Sequence, residues 1–562
     1  YANTTGASCV AVGLSALQNN TTASNNTGVG YAALFSNTTG TPNVGVGYRS
    51  LYSNTTGTEN TAIGPDAMYA NTTSSRNVAI GYGALDAQTT GTGYNVAVGN
   101  NSMTANTGGA YNVAVGSDSL DAQTTGGYNV AIGHGALSAS TTGEYNVSVG
   151  RNALAASTTA TSNTAVGDSA LATATTGGQN TAIGYGSMYA NTTGYENTAV
   201  GRESLESNTD GYYNVAIGHQ AMEDNTTGDL TTAIGWRALQ NNTTANTNTA
   251  IGAQALLTNT TGTENSGLGY SSLYSNTTAS YNTAVGHKAV FTNTTGSSTV
   301  AVGHHALYAQ TTGAANVAVG RSAMEDLTVG ADNTAVGHYA GANITTASHN
   351  TAMGYATLNA ATTGHSNAVF GKNAGVAITE GFKNTMIGFA AGDTTTLGDY
   401  NIIIGSEADV SGTNTEQEIV IGSSATGKGS NTAFLAPASG GVYNTNNTTA
   451  WNQTSDRRIK KNIVDNKKGL EIINQVRIRN FDYRTVDEIV DFENPKSAVV
   501  DREGIQLGTI AQELEEFLPE VVKTESTGVK SVDAENFTWY LINAVQELSA
   551  EVEELKSKIN EE

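Results

Sequence analysis

Residues 129–145 read NVAIGHGALSASTTGEY, and the next copy, NVSVGRNALAASTTATS, occupies residues 146–162. The most regular feature of these copies is a glycine that follows an apolar residue, which we call the marker glycine. Marker glycines recur every 17 residues from Gly13 to Gly81 and from Gly99 to Gly422, with one 18-residue step between the two series. The chain therefore contains 25 copies of one short unit, and the single insertion predicts a longer loop.

Repeats of short, fixed period are typical of solenoids, in which each unit buries its apolar face against its neighbours. Seventeen residues are too few for a helical hairpin, but they suit one coil of β-structure. Each coil is expected to hold a short strand, a glycine corner, a small and then a large inward residue such as Ala136 and Leu137, and a polar turn. Glycine suits the corner because it adopts backbone angles that other residues avoid. With strands spaced near 4.8 Å, the coils predict a rod of roughly 120 Å.

Polar and aromatic residues also keep the period. Asparagine stands four residues before the marker glycine in 21 copies, and stacked asparagines can form hydrogen-bonded ladders. Tyrosine recurs at outward positions, for example at Tyr94, Tyr111, Tyr128 and Tyr145. Two interpretations of these rings are open: they stack along the rod and stiffen it, or they form a platform for sugar rings or protein partners.

The chain changes in composition along its length. It has 562 residues and a net charge of −23, and residues 453–562 hold 38 of its 73 charged residues. This shift marks a domain boundary. We predict a solenoid of repeats at residues 1–422, which we call the repeat region, an irregular connector or cap at 423–454, and a small α+β domain at 455–562.

The last coils and the C-terminal segment carry further signals. Glycine replaces the large inward residue at Gly341, Gly375 and Gly392, which predicts a changed cross-section, such as a tighter neck, in coils that keep the period. Residues 467–483 predict a helix and then a strand, and residues 504–522 predict a strand and then a helix. In the final predicted helix, six apolar residues with alternating spacings of four and three form what we call the seam: Leu541, Val545, Leu548, Val552, Leu555 and Ile559. The seam predicts a short coiled coil at about residues 537–560.

Several classes of function receive no support from the composition. An acidic chain without basic patches disfavours nucleic acid and anionic membranes as partners. Cys9 is the only cysteine, so neither an intrachain disulfide nor a thiol-based metal site is expected. No apolar run is long enough to cross a bilayer. His304 and His305 are adjacent, but such pairs on a turn are usually solvated, and we expect no metal and no cofactor. No carboxylate pair recurs at a fixed repeat position, which leaves glycosidase chemistry unsupported.

The C-terminal segment resembles the intramolecular chaperone domain found at the ends of phage endosialidases and many phage tail fibres and tailspikes. The resemblance is carried by TSDRRIKKNI at residues 454–463, by residues 469–484 and 504–522, and by the closing helix. Members of that family are trimeric, help a preceding β-rich fibre to trimerise, and release themselves by autoproteolysis. The resemblance therefore implies a homotrimer that cleaves itself.

The same resemblance implies a processing site. The family's serine–lysine pair maps onto Ser455 and Lys460, with Asp456 and Arg458 at the matching positions between them. Such pairs are a known alternative to a histidine triad, with the lysine as base. The Ser455 hydroxyl reaches the preceding carbonyl through a five-membered ring, which favours cleavage between Thr454 and Ser455. Cleavage after Ser455 is the alternative. Self-cleavage is the only enzymatic activity expected.

The repeats resemble those placed before this chaperone in phage fibre proteins and, more loosely, the head repeats of trimeric autotransporter adhesins. We therefore expect a mostly β protein, a trimeric parallel β-solenoid or β-roll followed by the α+β chaperone. The expected function is a phage fibre on the virion surface, for adhesion or decoration, with virion proteins and a host glycan or protein receptor as partners. The alternatives are a bacterial or archaeal cell-surface adhesin and a polysaccharide-depolymerising tailspike.

Overall fold

The structure, a computed structural model, describes residues 2–436, 441–444, 452–453, 457, 460–485, 488, 500, 502–525, 529–533 and 535–561. The chain forms two compact units, Tyr1–Thr454 and Ser455–Glu562.

Each repeat contributes one short strand to a single parallel sheet. Every strand pairs with the next along the chain, so that Val130 lies opposite Val147 and Ile132 opposite Val149. The predicted parallel β-solenoid of 17-residue coils is therefore confirmed. The repeat strands are β1 Val10–Val12, β2 Thr27–Val29, β3 Asn43–Val46, β4 Asn60–Ile63, β5 Val78–Ile80, β6 Val96–Val98, β7 Val113–Val115, β8 Val130–Ile132, β9 Val147–Val149, β10 Thr164–Val166, β11 Thr181–Ile183, β12 Thr198–Val200, β13 Val215–Ile217, β14 Thr232–Ile234, β15 Thr249–Ile251, β16 Ser266–Leu268, β17 Thr283–Val285, β18 Val300–Val302, β19 Val317–Val319, β20 Thr334–Val336, β21 Thr351–Met353, β22 Ala368–Phe370, β23 Thr385–Ile387, β24 Ile402–Ile404 and β25 Ile419–Ile421.

The single 18-residue step is absorbed in a turn. β5 and β6 keep their register, with Val78 opposite Val96. The turn before β6 takes up the extra residue, and Gly91 and Gly93 adopt φ values of +107° and +79° there. The predicted longer loop is confirmed, and coil stacking continues across it.

In most coils three residues face inward, often two alanines and a larger aliphatic residue, with serine or glycine in place of alanine in others. In the coil that begins at Asn129 they are Ala131, Ala136 and Leu137, all fully buried. Side chains alternate between the faces of a strand, so Ile132, next to Ala131, points outward and is 41% exposed. The core is thus a column of alanines and larger aliphatic residues that runs from coil to coil.

Residues with positive φ form the corners of the coil. The marker glycine Gly133 has a φ of +135°, and the buried Leu137 has a φ of +54°. A left-handed conformation costs a bulky residue roughly 1–2 kcal/mol. Its recurrence at this position in successive coils indicates that burial of the leucine outweighs that cost. The backbone N–H of Leu137 also donates to the carbonyl oxygen of Ala153 in the next coil, at 2.9 Å.

The glycine corner provides a direct test of the stacking. A methyl group at Gly133 would collide with the carbonyl group of Gly150 in the next coil. We expect Gly133→Ala to destabilise the rod by about 2–4 kcal/mol, seen as a lower thermal midpoint and faster amide exchange in the adjoining coils. Gly108→Ala is the control, because nothing lies within 4 Å of a methyl group there. Equal effects of the two substitutions would contradict the role of the corner.

Two columns of buried asparagines connect the coils. In the first, the backbone N–H of Asn129 donates to Asn112 Oδ1 at 3.0 Å, and Asn129 Nδ2 donates to the carbonyl oxygen of Gly143 at 2.8 Å. In the second, Asn54 Nδ2 donates to Asn37 Oδ1 at 2.8 Å. These side chains are fully buried, and the predicted ladders are confirmed. Most asparagines of the second column begin Asn-Thr-Thr sequences, and burial shields these amides from glycosylation in the folded coil.

Where glycine replaces the large inward residue, other apolar side chains fill the space: from the polar turn at Gly341 and Gly375, and from strand residue Met386 at Gly392. Ile344 is buried, and its Cδ1 lies where a side chain on Gly341 would be. Ile378 occupies the same place beside Gly375. The larger side chain compensates for the volume lost with the leucine. The replacement of leucine by glycine therefore does not by itself produce the predicted tighter neck.

After β25 one shorter coil is added and the sheet then reverses direction. β26, Ala433–Leu435, pairs in parallel with β25. β27, Val442–Asn444, pairs antiparallel with β26. β28, Asn452–Gln453, pairs antiparallel with β27. The carboxylate of Glu418, which replaces a ladder asparagine, accepts hydrogen bonds from the N–H groups of Ser411 at 2.9 Å and Gly429 at 2.7 Å. These bonds satisfy the oxygen atoms of a buried carboxyl group near the end of the stack.

The second unit is a small α+β domain. Its elements are α1 Leu470–Ile473, β29 Arg479–Phe481, β30 Gln506–Gly508, α2 Ala511–Glu515, a 3₁₀ turn at Pro519–Val521, β31 Val522–Thr524, β32 Lys530–Val532 and α3 Glu535–Asn560. β29 pairs antiparallel with β30, and β31 with β32. The buried core consists of Ile472, Leu514, Leu518, Val521 and Tyr540. The helix–strand and strand–helix orders predicted from the sequence are confirmed.

Candidate processing site and assembly surfaces

The predicted processing site is described only in part. Of the residues of this site, four lie outside the described ranges: Thr454, Ser455, Asp456 and Arg458. Lys460 is described and exposed, and its backbone N–H donates to the carbonyl oxygen of Arg457 at 3.3 Å. The roles of Ser455 as nucleophile and Lys460 as base therefore stay predictions from the motif.

Helix α3 is fixed to the domain through its N-terminal half. The backbone N–H of Leu470 donates to Glu547 Oε2 at 2.6 Å, and the Tyr540 hydroxyl donates to Glu520 Oε1 at 2.8 Å. The backbone N–H of Glu520 and the Tyr540 hydroxyl hold the pKa of Glu520 below its usual value. Burial, together with this bond, raises the pKa of Tyr540. The start of the helix is thus positioned by the domain core.

The seam of α3 is exposed along its whole length. Its six residues are between 40% and 71% exposed, although they keep coiled-coil spacing along one helix. A coiled-coil seam is buried only when another helix packs against it. The single chain therefore presents an uncovered apolar helix face. Of the described helices, none is both long and apolar enough to cross a bilayer.

A second apolar surface runs along the repeat region. We call it the pre-glycine column, which consists of the 25 residues that immediately precede the marker glycines, all of them apolar. Fourteen of them are exposed, among them Ile132, Ile251 and Ile387 at about two-fifths, and the other eleven are partly buried. Because the strands pair in register, these side chains stand above one another from coil to coil. The sequence reveals that the position is always apolar, but the structure is needed to show that it faces outward.

The outward tyrosines stack on one another. Ring centroids of Tyr94, Tyr111, Tyr128 and Tyr145 are separated by 5.0–5.1 Å, with nearly parallel planes. The predicted stacking is confirmed. A ring inside such a ladder has both faces against its neighbours, whereas a sugar stacks on an open ring face. Only the edges and hydroxyl groups of the inner rings are left for a partner.

A group of carboxylates on the repeat region is already engaged by the protein. Glu203, Glu206 and Glu223 bring their oxygen atoms together. Arg202 forms an ion pair with Glu203 at 2.6 Å, and Gln220 Nε2 donates to both Glu203 and Glu223. The Arg202 guanidinium lowers the pKa of Glu203, and burial raises the pKa of Glu206. These contacts explain why the carboxylates lie together: they belong to a network of ion pairs and hydrogen bonds on the surface.

Comparison with known families bears on the second unit. Residues 455–523 match the family model described as chaperone of endosialidase. No curated protein and no solved structure matched the chain. The chain thus joins a parallel β-solenoid of 17-residue coils to a C-terminal segment similar to the endosialidase chaperones.

Proposed function

We propose that the chain is the subunit of a trimeric extracellular fibre. In this proposal the repeat region forms the shaft, and the C-terminal unit trimerises it and then releases itself. The observation that carries the proposal is the pre-glycine column, a stripe of 25 apolar side chains on the outer face of the solenoid. The stripe amounts to on the order of 1,500 Å² of apolar surface, more than monomeric proteins leave exposed and comparable to obligate interfaces.

Copies of the same chain are the partners that fit this stripe. The column is uncharged and has the 17-residue period of the coils. An identical chain in parallel orientation has the same period and would cover the stripe coil by coil. The strands already pair within the chain, so the contact between chains would consist of apolar side chains. Three chains, the number that the chaperone resemblance implies, would enclose the stripes around a closed symmetry axis.

A nearly uniform repeat explains the need for a chaperone. Because the coils are alike, two chains can pair with a slip of any multiple of 17 residues. Pairing between distant chain segments is also slow. A trimer that forms first at the C-terminal unit, with the exposed seam of α3 buried between three helices, would set one register from which the shaft closes.

Assembly would also complete the processing site. A lysine acts as a base when burial or neighbouring cations destabilise its charge. Arg457 and Lys461 stand beside Lys460, and all three are exposed in the single chain. Packing of further chains would supply burial, so that Ser455 attacks only after the trimer has formed. Release of the C-terminal unit would then leave a kinetically stable rod.

Placement of the fibre on a phage virion rests on the resemblance of the repeats to those of phage fibres. The coils run without an inserted domain through residues 2–436, which favours adhesion or spacing over polysaccharide cleavage. Antibodies against the repeat region are expected to label virions. Labelling of cell surfaces instead would identify an adhesin.

Charges in the pre-glycine column test the assembly. We expect Val115→Lys, Ile132→Lys and Val149→Lys, combined in one chain, to reduce the yield of soluble trimer at least tenfold, because three ammonium groups per chain would be buried without partners. Light scattering after size-exclusion chromatography measures the species. The matched control places three lysines in the same coils at exposed threonines, Thr125, Thr142 and Thr159. Trimers of undiminished yield from the first variant would contradict the proposed interface.

A further inference from the structure

Three histidines from two successive coils meet on the surface of the repeat region. His287 and His304 directly follow marker glycines, and His305 is the next residue. The ring centroids are 5.0 Å apart for His287 and His304, 5.7 Å for His287 and His305, and 4.0 Å for His304 and His305. Each ring offers one nitrogen atom that lies within 4.8 Å of the other two. Coil stacking therefore adds a third imidazole to the pair His304 and His305, which the sequence alone led us to expect as solvated.

A carboxylate orients one of these rings. Glu325, from the following coil, places Oε1 3.0 Å from His305 Nδ1. A carboxylate on one ring nitrogen fixes the ring and leaves the lone pair of the other nitrogen available, which is the usual support for a metal-binding histidine. The ring of Tyr308, 4.8 Å away, packs beside His305. His305 is half-buried, whereas His287 and His304 are exposed and have room to rotate.

We propose that His287, His304 and His305 bind one late first-row transition metal ion, of which Zn²⁺ is the representative. Imidazole nitrogen suits Zn²⁺, Cu²⁺ and Ni²⁺. Tetrahedral Zn²⁺ holds its nitrogen ligands about 2.0–2.1 Å from the ion and hence about 3.4 Å from one another. The nitrogen atoms start within 4.8 Å, and side-chain rotation of the two exposed histidines supplies the remaining approach. Water takes the fourth position.

The surrounding charges set the expected strength of the site. Glu325 adds a negative charge beside the three ligands. Arg321 occupies the position of His304 in the next coil, so its positive charge opposes binding of a cation. Removal of the Glu325 charge should therefore lower the affinity for the ion, and removal of the Arg321 charge should raise it.

Zn²⁺ titration of the full chain, followed by calorimetry, tests the site. One ion per chain is expected, and Co²⁺ in place of Zn²⁺ should give the visible absorption of a tetrahedral complex. His287→Ala and His304→Ala should each weaken binding at least tenfold and abolish that absorption, and Glu325→Gln should weaken binding about tenfold. Arg321→Gln should strengthen it.

Two other histidines serve as matched controls. His134 and His349 are exposed, and each lies beside a single aspartate, at 3.7 Å and 3.6 Å. His134→Ala and His349→Ala should leave Zn²⁺ binding unchanged, and circular dichroism should show that all variants keep the solenoid. The absence of saturable Zn²⁺ binding, or unchanged binding by the His287→Ala and His304→Ala double variant, would overturn the site.

Discussion

Ser455→Ala is expected to abolish release of the 455–562 fragment when the intact chain is expressed. The serine hydroxyl is the proposed nucleophile, and its removal should lower the cleavage rate on the order of 10⁴-fold or more. Lys460→Ala should have the same effect, because the proton on the hydroxyl would have no base to accept it. Intact-mass spectrometry measures the products, and it also distinguishes the two candidate bonds, whose fragments differ by one serine residue.

Neighbouring residues are the controls for this experiment. Thr454→Ala leaves the proposed nucleophile in place, and Lys461→Ala removes an adjacent cation from the same segment. Both variants should still be cleaved, Lys461→Ala more slowly because a cation beside the proposed base is lost. Cleavage of Ser455→Ala at the wild-type position would contradict the assigned nucleophile. Cleavage that survives Lys460→Ala but not Lys461→Ala would contradict the assigned base.

A chain that ends at residue 454 before it folds is expected to aggregate. Its pre-glycine column would be exposed without the trimeric C-terminal unit that brings three chains together in one register. Sedimentation and size-exclusion chromatography should find it in the insoluble fraction. The matched control is a chain of the same residues produced by self-cleavage after folding, which should be a soluble trimer. Soluble trimers from the truncated chain would contradict the chaperone role.

The period was enough to predict how the coils stack. The marker glycines and the Asn129 position occur at one interval, and only a parallel, in-register sheet places residues 17 apart beside each other. The Gly133 corner and the asparagine ladders follow from that stacking. Glycine and asparagine show the conformational preference of each position directly in the sequence, and the period supplies the partner of each position in the next coil.

The direction of the strand side chains could not be predicted in the same way. Ala131 and Ile132 are both apolar, and size alone would place the isoleucine inside. Two coils near the start of the repeat region show why alanine is inside: where glycine replaces it, at Gly28 and Gly45, an added Cβ would lie 3.2 Å and 3.3 Å from the Cγ atoms of Leu17 and Leu34. The leucine of the preceding coil fills the interior and leaves room only for a small residue.

Other features depend on pairs of positions that are not adjacent in sequence. The exchange of leucine for Gly341 is compensated by Ile344, three residues later, and His287 joins His304 only through stacking. At the processing site, the motif supplied Ser455 and Lys460 from the sequence. The structure adds that Lys460 is exposed in the single chain, which links its proposed activity to assembly.

Native mass spectrometry of the Ser455→Ala chain tests the central claim most directly, because it counts subunits while the C-terminal unit is still attached. The account predicts one species with the mass of three chains, stable to dilution. A soluble, folded single chain that leaves its pre-glycine column open to solvent would contradict it.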